Sequence, residues 1–224
     1  MSDLKSTGRL VIFTDFPQPE DDAVDEWYSR EHLKSRVIVD GFVKGRRYEA
    51  QQGTPRYLAI YDTANSTTLA SAAYLHAGSN ADANERLQVP KFVNTQRTIC
   101  DVTASVGEGV GAALGVICLH LADQPQFAVR TWLQAEVLPK LISERGVLVA
   151  ELWETNDQAL RLGSRGFVPR NDSSPQCLLV WEATRISELL AAQEKWLSRT
   201  TLDEQGAVVQ AGGGHYRLLM TLDH

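Results

Sequence analysis

The stretch Leu58-Ala59-Ile60-Tyr61-Asp62 recurs in similar form 120 residues later as Leu178-Leu179-Val180-Trp181-Glu182. Closer to the N-terminus the two halves align at an offset of 105, which pairs Trp27 with Trp132, Glu31 with Glu136 and Gly41 with Gly146. The offset grows by 15 residues, so we predict an insertion within 156–174, where glycine, proline, asparagine and serine are typical of a loop. The recurrence predicts two copies of one unit, at 1–106 and 112–224, joined by a glycine-rich linker at 107–111.

Each copy predicts the same order of elements, β-α-β-β-α-β, which is the ferredoxin-like split motif. The predicted strands of the first copy are Arg9–Phe16, Phe42–Ala50, Arg56–Asp62 and Phe92–Ser105, and its helices are Pro19–Val37 and Asn65–His76. Those of the second copy are Ala112–Ala122, Val147–Thr155, Gln176–Ala183 and His215–Leu222, with helices at Gln126–Glu144 and Ile186–Ser198. A four-stranded sheet with helices on one face must have its other apolar face covered. We therefore predict an α+β fold in which the two sheets pack face to face as an α+β barrel within one chain.

Composition and charge restrict the class of protein. The 224 residues include 22 Lys plus Arg and 28 Asp plus Glu, and the net charge of −6 disfavours nucleic acid as a partner. No apolar stretch approaches the roughly 20 residues of a membrane-spanning helix, and the N-terminus lacks the apolar stretch of a signal peptide. Cys100, Cys118 and Cys177 are too far apart for a C-x-x-C metal site and odd in number for a disulfide framework. We predict a cytoplasmic protein without a membrane partner, and exposed sheet edges would allow a homodimer.

One segment of the first copy resembles a known family. It is Glu26-Trp27-Tyr28-Ser29-Arg30-Glu31-His32-Leu33, followed by Gly41-Phe42-Val43-Lys44-Gly45-Arg46-Arg47-Tyr48. It resembles the EthD-type branch of the dimeric α+β barrel superfamily closely over residues 9–75, whereas the second copy matches only in pattern. That superfamily includes antibiotic-biosynthesis-type monooxygenases, muconolactone isomerases and haem-degrading enzymes. The resemblance implies a substrate cavity between helix and sheet, with a helix histidine as acid–base or anchoring residue; here that histidine is His32.

The first helix provides the candidate site. At 100° per residue, Glu31 shares a face with Trp27 and Tyr28, and His32 lies beside that face, so we expect Glu31 near the helix–sheet cleft. A histidine, with an unperturbed pKa of about 6.5, is suited to proton transfer near neutral pH. An arginine or tyrosine on the next strand would stabilise an enolate or phenolate oxygen. The candidate catalytic residues are His32 and Glu31, and the candidate substrate-binding residues are Trp27, Tyr28, Arg47, Tyr48 and Tyr61.

The predicted function is a small-molecule enzyme that acts without a cofactor or metal on an apolar or aromatic carbonyl or phenolic metabolite. Acid–base, isomerase, lyase and monooxygenase chemistry all stay open, as does a haem ligand from His32 or His76. Glu31 has the counterpart Glu136, which favours an architectural role for this acid, whereas His32 is replaced by Val137. One alternative is a non-catalytic small-molecule-binding or accessory protein that uses the same cleft. Another is a homo-oligomer whose cleft is filled by its own side chains.

Overall fold

The computed structural model describes residues 6–17, 21–122, 126–163 and 174–224. Within these ranges, eight antiparallel strands form a closed barrel in the order β1-β3-β2-β8-β5-β7-β6-β4. They span Gly8–Asp15 (β1), Phe42–Thr54 (β2), Tyr57–Thr63 (β3), Val93–Gly107 (β4), Ala113–Leu121 (β5), Val147–Thr155 (β6), Cys177–Ala183 (β7) and Ala207–Asp223 (β8). The two halves of the chain meet at two seams of the barrel, where β2 pairs with β8 and β4 pairs with β6.

The helices of the described ranges lie outside the barrel. They span Asp21–Trp27 (α1), Leu33–Val37 (α2), Ala72–Ser79 (α3), Ala83–Gln88 (α4), Gln126–Trp132 (α5), Leu138–Ile142 (α6), Asp157–Gly163 (α7), Ile186–Trp196 (α8) and Arg199–Glu204 (α9). A π-helical turn, Tyr28–His32, connects α1 to α2, and a second one, Leu133–Val137, connects α5 to α6. Among the described residues, no helix is both long and apolar enough to cross a membrane.

The predicted α+β barrel is confirmed, because β-α-β-β-α-β occurs twice along the chain and the two sheets close on each other. Strands β5 and β6 begin 105 residues after β1 and β2, and β7 begins 120 residues after β3. This spacing supports the proposal of two copies at 1–106 and 112–224. One predicted helix, Asn65–His76, is instead split into a 3₁₀ turn, Ser66–Ala70, and α3, because Ser71 caps a new helix by accepting a hydrogen bond from the backbone N–H of Tyr74.

The inserted segment differs from the predicted loop. Its first part forms α7, and Asn156 caps that helix by accepting a hydrogen bond from the N–H of Ala159 at 2.9 Å. Ala159 and Leu160 pack into the hydrophobic cluster between the helices and sheet of the first half. The prediction of a loop is therefore wrong for Asp157–Gly163, while 164–173 lies outside the described residues. An element of the second half thus covers part of the first.

The interior of the barrel is one core to which both halves contribute. Val11 and Phe13 of β1 pack in the same cluster as Leu114 and Val116 of β5, because alternate residues of each strand point inward. The opposite faces of the two sheets carry separate clusters against the helices, although α7 of the second half adds to the cluster of the first. Each of the two helix–sheet layers could hold its own site.

Charged residues inside the barrel join the two halves. Arg46 of β2 donates hydrogen bonds to Asp62 at 2.8 Å and to Glu182 of the second half at 2.5 Å. Arg9 likewise lies 3.3 Å from Asp62 and 3.4 Å from Glu151 of the second half. Glu182 also accepts a hydrogen bond from the backbone N–H of Gly111 at 2.7 Å. The predicted linker is thus held against the barrel through its last residue.

Candidate functional site

The π-helical turn decides which side chains of the first helix face the sheet. The N–H of Leu33 donates to the carbonyl of Tyr28, five residues earlier, so the turn contains one residue more than an α-helical turn. As a result the buried face passes from Tyr28 to His32 and Leu33 and continues to Arg36. The side chain of His32 is only 8% exposed.

Glu31 lies on the outside of the same turn. It is exposed and accepts a hydrogen bond from the side-chain amide of Asn84 at 3.0 Å. The expectation that Glu31 faces the cleft is therefore wrong, because it assumed 100° per residue through a segment that is not α-helical. This acid is not placed to react with anything bound beside His32.

Four of the predicted substrate-binding residues contact His32 or one another between this helix and the sheet. The hydroxyls of Tyr28 and Tyr61 form a hydrogen bond of 3.1 Å, and burial raises the pKa of both phenols. The guanidinium of Arg47 lies 4.3 Å from the centre of the Tyr28 ring, a cation–π distance. The ring of Trp27 lies 4.6 Å from the ring of His32, centre to centre. We refer to Trp27, Tyr28, His32, Arg47 and Tyr61 as the cleft cluster.

Arg47 is fixed in the cleft cluster by bonds to the first helix. Its guanidinium donates to the backbone carbonyl of Asp25 at 3.2 Å, to the carboxylate of Asp25 at 2.8 Å and to the hydroxyl of Ser29 at 2.5 Å. These bonds hold the planar group over Tyr28. The cleft therefore contains a permanent positive charge with a defined orientation.

The imidazole of His32 is enclosed by aromatic rings and cations. Burial, followed by the positive charges of Arg36 and Arg47, lowers the pKa of His32 well below its usual value. The ring is therefore neutral at neutral pH. Its Nδ1 has no hydrogen-bond partner among the described residues, although Oε1 of Glu85 lies 3.9 Å away. Glu85 is instead ion-paired with Arg36.

Tyr48 does not belong to this site. Its side chain lies inside the barrel, where its hydroxyl accepts a hydrogen bond from Arg46 at 3.2 Å. Successive residues of a strand point to opposite faces of the sheet, so Arg47 and Tyr48 cannot both face the helix. The expectation that Tyr48 lines the cleft is therefore wrong.

Sequence reasoning missed Arg36 and Glu85. Arg36 follows His32 by four residues, a spacing that places both on one helix face and could have signalled the contact. Glu85 belongs to α4, which lies between the predicted helix Asn65–His76 and the predicted strand Phe92–Ser105, where no element is predicted. The sequence contains no signal that Glu85 approaches His32.

At the positions equivalent to four members of the cleft cluster, the described residues of the second half are apolar. At the offsets of the repeat, Tyr28 corresponds to Leu133, His32 to Val137, Arg47 to Leu152 and Tyr61 to Trp181. All four counterparts pack in the hydrophobic cluster of the second helix–sheet layer. The two layers therefore share their framework, while polar groups occupy these positions only in the first.

The cysteines are poorly suited to act as nucleophiles. Cys100, Cys118 and Cys177 are all buried, and burial raises the pKa of each thiol to about 12. Thiolate is the reactive form of cysteine, and very little is present at neutral pH with such values.

A cavity of about 220 Å³ opens elsewhere, near one mouth of the barrel. It is lined by His120, Thr155, Asp157, Ser174, Pro175, Gln176 and Gln210. None of the predicted site residues contributes to it.

Comparison with known proteins supports the fold. No family model matches the chain, and there is no significant match among curated proteins, so the EthD branch stays a prediction. The chain is similar in structure to an anthrone oxidase-like protein, with a TM-score of 0.64, 11% identity and coverage of 98% of this chain and 93% of that one. It is also similar to a Fusobacterium nucleatum protein provisionally named a monooxygenase, with a TM-score of 0.59, 10% identity and coverage of 98% and 95%. A variant chlorite dismutase from Candidatus Nitrospira defluvii, in complex with cyanide, gives a TM-score of 0.59 at 9% identity, with coverage of 96% and 92%. At these identities the likeness establishes the ferredoxin-like α+β barrel alone.

Proposed function

We propose that the first half binds a small, largely apolar carbonyl or phenolic compound beside His32, and that the imidazole of His32 removes a proton from it. The observation that carries this proposal is the difference between the halves. A polar set buried for architecture alone would be expected at both equivalent positions, yet the second half packs leucine, valine and tryptophan there. Buried polar groups cost stability unless they are satisfied, so their presence in one half favours a functional reason.

The protonation state of His32 agrees with a role as a base. Because its pKa is lowered, the imidazole is unprotonated across the neutral range and can accept a proton. A base with a low pKa removes a proton readily only from a comparatively acidic group, such as the hydroxyl of a phenol or a C–H activated by a neighbouring carbonyl. This requirement restricts the substrate to compounds that carry such a group.

The rest of the cleft cluster suits the anion that forms. Loss of the proton leaves negative charge on the oxygen of an enolate or phenolate. Arg47 supplies a fixed positive charge, and the Tyr28–Tyr61 pair supplies a hydroxyl donor, and all three side chains are buried. Trp27 and Tyr28 supply apolar ring faces for a flat substrate.

The later fate of the anion decides the reaction type. Return of the proton to another atom is an isomerisation, whereas reaction with molecular oxygen is an oxygenation. The name of one structural neighbour, an anthrone oxidase-like protein, agrees with a substrate of this class, since an anthrone is an aromatic ketone with an activated C–H. We keep the homodimer as a proposal too; its contact would involve helices or loops, because each described strand already has two neighbours.

The test uses anthrone as the probe. Under argon in deuterated buffer, NMR follows exchange of the activated C–H, and in air absorbance follows the formation of anthraquinone. The wild-type protein should accelerate exchange, and His32→Asn should reduce the acceleration by roughly 100-fold or more. His215→Asn is the matched control, because His215 is a buried histidine of the second helix–sheet layer, and its rate should stay within about twofold of wild type.

Two outcomes would contradict the proposal. Equal exchange rates in wild type and His32→Asn would remove the histidine from the chemistry. Quenching of tryptophan fluorescence by anthrone without any acceleration of exchange would favour the non-catalytic binding protein instead.

A further inference from the structure

Glu85 reaches into the site from a helix that is otherwise on the surface. The residues of α4 are all at least partly exposed, yet the side chain of Glu85 is only 13% exposed, because it extends toward His32 and Arg36. The start of α4 is fixed by Asp82, whose carboxylate accepts a hydrogen bond from the N–H of Glu85 at 2.8 Å. The position of this carboxylate is therefore defined by the fold.

The carboxylate lies between two groups that can carry positive charge. It is ion-paired with Arg36, while the 3.9 Å from its Oε1 to Nδ1 of His32 is about 1 Å too long for a hydrogen bond. A shift of about 1 Å in the position of the Glu85 carboxylate would close this gap. Among the described residues, no other group forms a hydrogen bond with Nδ1 of His32.

We propose that Glu85 is a positioning residue that accepts a hydrogen bond from Nδ1–H of His32, which leaves Nε2 as the atom that takes the substrate proton. This inference deepens the proposed function and rests on it. When the substrate C–H or O–H bond breaks, its electron pair stays on the substrate as an enolate or phenolate and the proton moves to Nε2. The imidazolium keeps Nδ1–H directed at Glu85, and transfer of the proton back to substrate restores the starting state.

The charges around His32 explain why the imidazole stays neutral until it takes the substrate proton. Arg36 faces the ring from its own helix, Arg47 from β2 and Glu85 from α4, with the phenol of Tyr28 beside them. Burial and the two cations keep the imidazole neutral in the free site, even though the cations are paired with Glu85 and Asp25. Proton transfer adds an anion on the substrate, which balances the imidazolium that forms.

The second half lacks both partners. Arg36 corresponds to Leu141, and Glu85 corresponds to Thr201, because α9 begins 116 residues after α4. If the Arg36–Glu85 ion pair served only to attach α4, its presence would not depend on the presence of His32. Arg36 and Glu85 are found with His32 and are absent where valine replaces it.

The test measures the imidazole itself. Two-dimensional ¹H–¹⁵N NMR of the wild-type protein, with the His32 signals assigned by their loss in His32→Asn, reports which ring nitrogen carries the proton. We expect the Nδ1–H tautomer. Removing the carboxylate in Glu85→Gln should lower the pKa of His32 by about one unit, and removing the cation in Arg36→Gln should raise it by about one unit.

The outcomes separate this inference from the proposed function. An Nε2–H tautomer in the wild-type protein would overturn the role proposed for Glu85. The same conclusion would follow if Glu85→Gln and Arg36→Gln lowered the melting temperature but left the pKa of His32 unchanged. If the Nδ1–H tautomer is found but the protein does not accelerate exchange of anthrone, His32 is not the proposed base. Glu85 would then orient the imidazole without any part in a reaction. In an active protein, Glu85→Gln should slow exchange by about tenfold at saturating anthrone with little change in KM.

Discussion

At the scale of single residues, the most unusual feature is a neutral imidazole held among cations. An imidazolium at this position would be repelled by Arg36 and Arg47 and would lack water. His32 therefore resists protonation in the folded chain and accepts a proton readily once the chain unfolds. This difference makes the stability of the protein depend on pH.

The sign of that dependence follows from the lowered pKa. Below about pH 6.5 the unfolded chain binds a proton at this residue and the folded protein does not, so the free energy of unfolding falls as the pH decreases from about 6.5 toward the lower folded value. Above pH 6.5 the contribution is complete. His32→Asn should reduce the loss by up to about 1.4 kcal/mol per pH unit.

Urea unfolding at about pH 7.5 and about pH 5.5 measures this effect. Some loss should persist in the variant, because burial also lowers the pKa of His215. Identical losses in wild type and His32→Asn would show that His32 titrates alike in the folded and unfolded states.

At the scale of elements, two glycines set how closely helices and rings approach the sheets. A Cβ atom on Gly45 of β2 would lie 2.7 Å from Cγ2 of Val37 in α2, so a larger residue there would force side chains of the helix to move. In the second half, a Cβ on Gly115 of β5 would collide with the ring of Trp181. The equivalent pair in the first half is Leu10 and Tyr61. Leucine is larger than the glycine it replaces, and the tyrosine ring is smaller than the tryptophan ring.

Because a larger residue at one position accompanies a smaller ring at the other, we predict that substitutions of Gly115 and Trp181 have non-additive effects on the free energy of unfolding. Gly115→Ala should destabilise the protein by about 1–3 kcal/mol, because the buried ring has little room to move. Trp181→Tyr leaves a void and loses the hydrogen bond from the indole to the Leu189 carbonyl. The double variant should be less destabilised than the two single losses together, and a double-mutant cycle by urea unfolding measures the difference. Simple additivity would contradict direct packing of these two groups.

Elements also show how far the sequence predicts the structure. The strands and their order along the chain follow from short apolar runs and from the repeat, and β1 and β3 lie within a residue or two of their predicted bounds. The predicted last strand is too short, because β8 begins at Ala207 and not at His215. Side-chain directions in the first helix were mispredicted, since the π-helical turn has no residue signature and shifts the buried face from Glu31 to His32. The contact of Glu85 with this helix depends on tertiary packing over about fifty residues, which a local pattern does not encode.

At the scale of the whole molecule, the two halves are joined by a shared core and by charges within it. Arg46 contacts a carboxylate of each half, and it is almost completely buried. Desolvation raises the pKa of Glu182, but Arg46 and the N–H of Gly111 stabilise its charged form. Loss of the arginine would leave the buried Glu182 and the partly buried Asp62 without their common partner.

Arg46→Met should therefore lower the free energy of unfolding by about 3–5 kcal/mol. Glu182→Gln should cost less than half as much, because the glutamine oxygen can still accept the hydrogen bond from Gly111 and Arg46 keeps Asp62. Arg30→Met is the control: its ion pair with Glu26 is exposed, and its loss should change stability by no more than about 0.5 kcal/mol. Urea unfolding of the three variants distinguishes them, and equal losses for Arg46→Met and Arg30→Met would refute a stabilising role for the interior charges.

The closed order of the strands has a consequence for how the molecule can misassemble. An open sheet ends in a row of unpaired amides and carbonyls to which a strand of another chain can add, the first step toward amyloid. The eight described strands leave no such row, since each has a neighbour on both sides. The expectation that free sheet edges would join two chains is therefore wrong. Growth of fibrils would have to begin with the rupture of one of the strand pairings that close the barrel, so the closed order itself is a kinetic barrier to aggregation.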